Sequence, residues 1–284
     1  MTRMAEHTVI GMSPQDFRQL AEYVQKATGI KMPPAKKTML EGRLRRRIRS
    51  LGLDSFRDYC AFLFDGGGLE QEAVHLIDAV TTNKTDFFRE PDHFHFLAER
   101  GLPELTRGGC GIGRPLAAWS AAASIGAEAY SLAMLLADYG QAHPPFKFSI
   151  LATDICTEVL ETGSQGIYAE QMIAPVPMEM RKRYLRRARD RSQGVVRIAP
   201  ELRRHVHFAR INLIDGPHAI DTAFDIVFCR NILIYFDRPT QGKVVADLCR
   251  HMRPGGYLFI GHSESLSGFD LPLRQVATTT FVRV

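Results

Sequence analysis

AAWSAAASIGAEAYS, residues 117–131, is the stretch whose reading decides the fold. It opens as an apolar run long enough for a buried parallel strand. Small residues and Gly126 then carry it into a helix-like stretch, residues 127–139. A strand that ends in small residues and opens a helix sets backbone N–H groups beside a crevice, and open α/β sheets bind their ligands there. Alone the pattern is weak. It holds no G-x-G-x-x-G, and most glycine-bearing strand–helix turns are simply tight turns.

Outward from this stretch, strands and helices alternate. Residues 116–121 read as strand, 128–139 as helix, 147–152 (KFSILA) as strand and 157–163 as helix. Further strands follow at 205–211 (HVHFARI), 224–229 (FDIVFC) and 257–261 (YLFIG), the last introduced by a Met252-Arg253-Pro254-Gly255-Gly256 turn. Residues 273–284 (LRQVATTTFVRV) alternate like one final antiparallel strand. Such alternation predicts an α/β fold with a doubly wound, mostly parallel sheet. Between 165 and 204 the rhythm lapses into Pro-rich and Arg-rich sequence with a hairpin expected at 184–199, which marks an inserted β-subdomain.

Upstream the chain is helical. Ser13-Pro14-Gln15-Asp16 is a helix start and Thr28-Gly29 its end. In the next helix Leu40, Leu44, Ile48 and Leu51 form one stripe, while Arg45, Arg46 and Arg49 point away from it. Ser55 caps a third helix, and residues 69–80 form a fourth. The division expected is a helical N-terminal domain (1–80), a linker (81–106) that contributes to the site, and an α/β domain (107–284). The Gly111-Ile112-Gly113 of the loop before the first strand is discarded as a dinucleotide motif, because it precedes its strand.

Composition excludes several classes. The 284 residues carry 24% charged side chains and no apolar run near the roughly 20 residues a membrane helix needs. MTRMAEHTVIGMSPQDF at the start lacks the apolar core of a signal peptide, and the five cysteines are scattered with no C-x-x-C. A cytoplasmic protein with reduced thiols and no zinc site is expected. The net charge is only +5, yet residues 31–50 hold eight basic side chains against Glu41, and residues 181–210 hold eleven against Asp190 and Glu201. Two basic faces are either plain solvated surfaces or docking sites for an acidic partner.

The strand ends carry the chemistry. Asp154 follows SILAT, where a carboxylate accepts hydrogen bonds from ribose hydroxyls, though it could equally be a helix cap. Asn212-Leu213 after HVHFARI suit the edge and face of an adenine ring. Arg230-Asn231 follow FDIVFC with Tyr235 a turn further on, a combination poorly suited to core filling.

With these residues in place the chain resembles the CheR family, the S-adenosylmethionine-dependent methyltransferases that esterify glutamates on chemotaxis receptors. The matching pieces are N-K-T-D-F-F-R-E (83–90), W-S-A-A-A-S-x-G-x-E (119–128), A-T-D-I (152–155), F-D-I-V-F-C-R-N-I-L-I-Y-F-D (224–237), R-P-G-G (253–256) and G-H-S-E (261–264). The resemblance implies a class I methyltransferase-like domain, with S-adenosylmethionine as cofactor and S-adenosylhomocysteine as product. It implies cofactor contacts from Asn83, Thr85, Arg89, Glu128, Asp154, Asn212, Leu213, Arg230 and Asn231, with Arg89 and Tyr235 nearest the methyl transfer. It further implies that the basic helix (Arg43, Arg45, Arg46, Arg49) docks on the cytoplasmic domains of methyl-accepting receptors, the enzyme being a monomer without membrane insertion or nucleic acid.

No catalytic base is needed for such a reaction. A glutamate with a pKa near 4.3 is already a nucleophile at neutral pH. Positioning and exclusion of water then govern the rate, and Arg89 or Tyr235 could orient the second carboxylate oxygen. His262-Ser263-Glu264 read as packing or a crevice wall. Two departures from the family pattern stand out. Its S-T-G-E-E-P-Y-S is here S-I-G-A-E-A-Y-S, with Ala127 in place of an acid, and the hairpin at 186–194 lacks the Gly-x-Gly loop of members that grip a receptor's C-terminal pentapeptide. The second departure argues against a pentapeptide tether. The rival classes are a nucleic-acid methyltransferase, against which stand the missing stacking aromatics and the missing Asn/Asp-Pro-Pro-Tyr/Phe motif, and a non-catalytic receptor-binding relative with an altered cofactor turn.

Overall fold

The computed structural model describes residues 11–284, which divide into two compact units. The first ten residues, part of the stretch read above for a targeting signal, lie outside the described residues. Among the described residues no helix is long and apolar enough to cross a membrane.

The described part of the first unit comprises residues 11–82 and Tyr235–Asp237. Helix α1 (Pro14–Thr28) starts in a capping box: the Ser13 hydroxyl accepts from the Asp16 N–H, and the Asp16 carboxylate accepts from the Ser13 N–H. Gly29 closes it in a left-handed conformation. Helix α2 (Lys37–Ser50) buries Leu40, Leu44 and Ile48 as its spacing predicts. Leu51 is only half-buried, because the helix ends one residue before it. Helix α3 (Phe56–Cys60), capped by Ser55, runs into a wide turn at Ala61–Asp65, and α4 (Leu69–Val80) completes the set.

The second unit, Asn83–Ile234 with Arg238–Val284, begins with an irregular strap and then α5 (Pro91–Phe96), a wide turn (Leu97–Gly101) and α6 (Leu102–Arg107). Next come β1 (Leu116–Ala121), α7 (Ala127–Ala142), β2 (Phe148–Asp154) and α8 (Thr157–Gln165). The insertion holds β3 (Ile167–Ala169), α9 (Met178–Tyr184), β4 (Leu185–Arg187) and β5 (Val195–Ile198), with α10 (Pro200–Arg203) after it. The chain finishes with β6 (Val206–Arg210), β7 (Phe224–Cys229), α11 (Arg238–Arg250), β8 (Met252–Ile260), β9 (Leu273–Ala277) and β10 (Thr280–Arg283).

The main sheet has the order β6-β2-β1-β7-β8-β10-β9. Its first five strands are parallel, and β10 runs antiparallel to both β8 and β9. β1 is central and wholly buried, so its sequence is a continuous apolar run rather than an alternation. From β1 the chain winds outward to β2 and β6, then returns to β7 on the other side. That reversal puts the topological switch point at the carboxyl end of β1.

Three expectations change. The tail is two strands, because Thr278-Thr279 turn the chain, with Thr279 at φ 48°. The 252–256 turn is a bulge inside β8: Phe224 pairs with Met252 and Ile226 with Tyr257, so the intervening residues loop out at Gly255. The hairpin at 184–199 forms as β4 and β5, but β3 adds a third strand on the other side of β5, which composition did not signal.

Candidate active site

The turn after β1 is built from unusual backbone. Ala122, Ser124 and Gly126 all have positive φ, at 65°, 51° and 84°. Gly126 is required twice over: its φ disfavours any side chain, and a Cβ there would come within 2.8 Å of the Phe208 ring on β6. Asp154, the last residue of β2, holds this turn. One carboxylate oxygen accepts from the Ser124 N–H at 2.8 Å and the other from the Cys156 N–H at 3.0 Å. Asp154 is therefore more than a helix cap.

The strap 83–90 is fastened to this edge at three points. The Ser124 hydroxyl donates to the Asn83 carbonyl (2.8 Å), the Phe88 N–H donates to the Ser131 hydroxyl (2.9 Å), and Arg230 donates to the Arg89 carbonyl (2.7 Å). Asn83 also reaches Cys156 Sγ at 3.5 Å. Phe88 and Glu90 sit at φ 51° and 53°, conformations that persist only where surroundings enforce them. The strap thus brings Asn83 and Arg89 beside Asp154 and Arg230, whereas in sequence they are far apart. Thr85 is half-buried on the same strap. Asn212 and Leu213 follow the end of β6, with Leu213 buried.

Arg230 is buried just past the end of β7 and engaged through Nε and Nη1. Its Nε donates to Glu128 Oε2 at 2.7 Å, its Nη1 to the Arg89 carbonyl and, at 3.1 Å, to His93 Nδ1. The guanidinium lies over the Phe94 and Phe228 rings. Glu128 uses its other oxygen to accept from Ser120 at 2.6 Å. The two residues foreseen as cofactor contacts therefore satisfy each other, and sequence had no means of pairing them. Ala127 beside Glu128 is buried in the apolar core.

His93 and Glu90 stand at this edge although the sequence reading gave them no role, and Glu264 was read only as packing or a crevice wall. Burial and then the Arg230 charge hold His93 down at about 4. Donation from Arg230 to Nδ1 places the ring proton on Nε2, which donates to Thr279 Oγ1 at 2.8 Å. Glu90, His93 and His262 bring ligand-type atoms within 4.8 Å of one another, but Arg230 already occupies His93 Nδ1. The Glu90 carboxyl is net lowered: burial raises it, but the hydrogen bond from Asn231, the Arg230 charge and the His262 N–H outweigh that. Burial pushes Glu264 up, against the backbone N–H groups that donate to it. Glu90 was legible as the end of the 83–90 motif; Glu264 had no signal beyond its place in G-H-S-E.

Tyr235 groups with the helical unit, its carbonyl accepting from the Lys31 N–H at 3.0 Å and Lys36 lying 5.4 Å from its ring. In that unit α2's arginines sort into two kinds. Arg46 and Arg49 are exposed, and Arg45 is half-buried within 3.7 Å of Glu41. Arg43 instead donates to the Val80 and Thr81 carbonyls at the end of α4, and Arg47 forms a two-pronged pair with buried Glu72, which also accepts from Tyr59.

A doubly wound sheet with an acid and a left-handed turn at its switch point defines the class of α/β domains that bind nucleotide-type ligands there, and the comparisons with known proteins say which class member this is. Residues 83–282 match the family model described as CheR methyltransferase, SAM binding domain, and residues 15–81 that described as CheR methyltransferase, all-alpha domain. A Pseudomonas aeruginosa protein named chemotaxis protein methyltransferase 2 is 38% identical over 94% of this chain and 92% of its own. The chemotaxis protein methyltransferase of Escherichia coli is 38% identical over 92% and 88%, and that of Borreliella burgdorferi 35% over 91% and 91%. The chain belongs to the CheR methyltransferase family. It is an S-adenosylmethionine-dependent methyltransferase. The edge is chemically suited to that cofactor: the Asp154 carboxylate, at the carboxyl end of β2 and bonded to the turn after β1, is an acceptor of the kind ribose hydroxyls donate to.

Proposed function

We propose that this methyltransferase esterifies glutamate side chains on the cytoplasmic domains of chemotaxis receptors, in the cytoplasm, releasing S-adenosylhomocysteine. The observation that carries the reading is the strap: motif residues of 83–90 are fastened against Asp154, Ser124 and Arg230 at one sheet edge. When bound, the cofactor supplies an activated sulfonium methyl that a carboxylate can displace without a base. The chain's own task is then to bind, orient and exclude water.

In this reading Asp154 receives the ribose hydroxyls, Asn212 and Leu213 border the adenine, and Asn83, Thr85 and Asn231 complete the cofactor's polar contacts. Glu128 and Arg230 act through the positions they impose on the β1 turn and on Arg89. Arg89 and Tyr235 are the residues assigned to the methyl-transfer step, where either could serve by orienting the second carboxylate oxygen; too strong a pairing there would quench the nucleophile. Exposed Arg46 and Arg49, with Arg45, form the face for the acidic receptor, and Arg43 contributes by fastening α2 to the end of α4. The chain is taken to work as a monomer, and the missing Gly-x-Gly loop of its hairpin argues against a pentapeptide tether. The test is transfer of labelled methyl from S-adenosylmethionine to receptor-containing membranes. Label released as methanol by mild base is the expected result, and label that survives mild base rules out a carboxyl ester.

A further inference from the structure

Asn231 is held by two carboxylates from distant parts of the chain. Its backbone is left-handed, at φ 58°. Its N–H donates to Glu264 Oε2 at 3.0 Å, and its side-chain Nδ2 donates to Glu90 Oε1 at 3.1 Å. Glu264 does more than meet Asn231. The same oxygen accepts from the Gly261 N–H at 2.6 Å, and Oε1 accepts from the Ile234 N–H at 3.3 Å. One buried carboxylate therefore ties the end of β8 to both ends of the turn that leaves β7. Glu90 makes the matching connection from the strap, and also accepts from the His262 N–H at 3.3 Å.

Burying a carboxylate among backbone amides is expensive unless the geometry it enforces is needed. Here it enforces a backbone region that asparagine tolerates better than most residues, and a single amide orientation. With Nδ2 committed to Glu90, the oxygen of the amide is the atom left to accept. Gly261 belongs to the same arrangement: a Cβ on it would lie 2.4 Å from Asn231 Nδ2 and 2.8 Å from the Asn231 nitrogen.

We propose that Glu264 and Glu90 are positioning residues for the cofactor, acting through Asn231: Glu264 sets its backbone and Glu90 its side chain. The proposal rests on the reading of Asn231 as a cofactor contact, and the experiment separates the two. S-adenosylhomocysteine affinity is measured by calorimetry for wild type, Asn231→Ala, Glu264→Gln, Glu90→Gln and Gly261→Ala, with backbone hydrogen exchange on each. Glu264→Gln sets an amide donor against N–H donors, and a lost bond to a charged acceptor corresponds to a weakening on the order of 10-fold or more. The Michaelis constant for S-adenosylmethionine should rise while that for receptor stays put, a split that general loosening would not produce. Exchange should quicken at Asn231, Ile234 and Gly261 alone. Gly261→Ala, which leaves both carboxylates intact but crowds Asn231, should weaken binding similarly. If Asn231→Ala binds like wild type, the site reading fails and the proposal with it. If Asn231→Ala weakens binding but Glu264→Gln and Gly261→Ala, folded by exchange, bind within twofold of wild type, the proposal alone is overturned.

Discussion

Arg230→Met is the most informative single change in the sheet domain. The Arg230 side chain is 2% exposed and Glu128 9%, so their 2.7 Å pair is out of reach of solvent screening. Methionine fills much of the same volume between the Phe94 and Phe228 rings, so the change removes the charge more than the packing. What it leaves behind is the problem. Glu128 keeps only the Ser120 hydroxyl, and the Arg89 carbonyl and His93 Nδ1 each lose a donor. Removing one partner of a buried ion pair costs about 3–5 kcal/mol. At roughly 2–4 °C per kcal/mol for a domain of this size, thermal unfolding should fall by about 6–20 °C. The assay is thermal unfolding of the ligand-free protein near neutral pH, followed by circular dichroism. The double variant Arg230→Met/Glu128→Met removes the stranded charge as well and should melt well above the sum of the two single losses. An Arg230→Met protein that melts within about 2 °C of wild type, or strict additivity in the double variant, would refute the reasoning.

In the helical unit, Arg47→Ala strands buried Glu72 and should cost about 3–5 kcal/mol, whereas Arg46→Ala should change stability by less than about 0.5 kcal/mol; urea unfolding compares them. The lowered pKa of His93 gives a pH dependence. Unfolded histidine titrates near 6.5 and folded His93 near 4, so stability from this group is complete above about pH 6.5. It is lost as pH falls toward 4, by about 3 kcal/mol in all, and a His93→Gln protein should lack that loss in pH-dependent unfolding. Gly126→Ala should destabilise by at least about 1–2 kcal/mol from the left-handed backbone alone, with the Phe208 ring adding to it; a melting temperature equal to wild type would contradict the turn geometry. Asp154→Ala should weaken S-adenosylhomocysteine binding first, and Tyr235→Phe should lower turnover more than affinity. Calorimetry and steady-state methylation together read both, and the reverse pattern would overturn the assignment.

Much of the architecture was legible because it is local or periodic. The capping box at Ser13, the leucine stripe of α2 and the apolar runs of β1 and β7 need only propensity and spacing. The bulge in β8 and the split of the tail into β9 and β10 were not legible, since both depend on pairing partners in other strands.

The amino-acid sequence by itself determined the helical module, the parallel sheet wound around residues 117–131, the family and its cofactor. It also named the strand ends that carry polar chemistry. Only the tertiary structure decided what each of those polar groups touches. Arg230 and Glu128 stand 102 positions apart and turn out to satisfy each other, Arg43 and Arg47 leave the basic face of α2 for partners in and beyond α4, and Asn231 is set by Glu90 and Glu264 from opposite sides. The physical reason is the same throughout. Propensity and periodicity act over a few residues, but a buried charge must find its counter-charge or its N–H donors wherever the fold brings them.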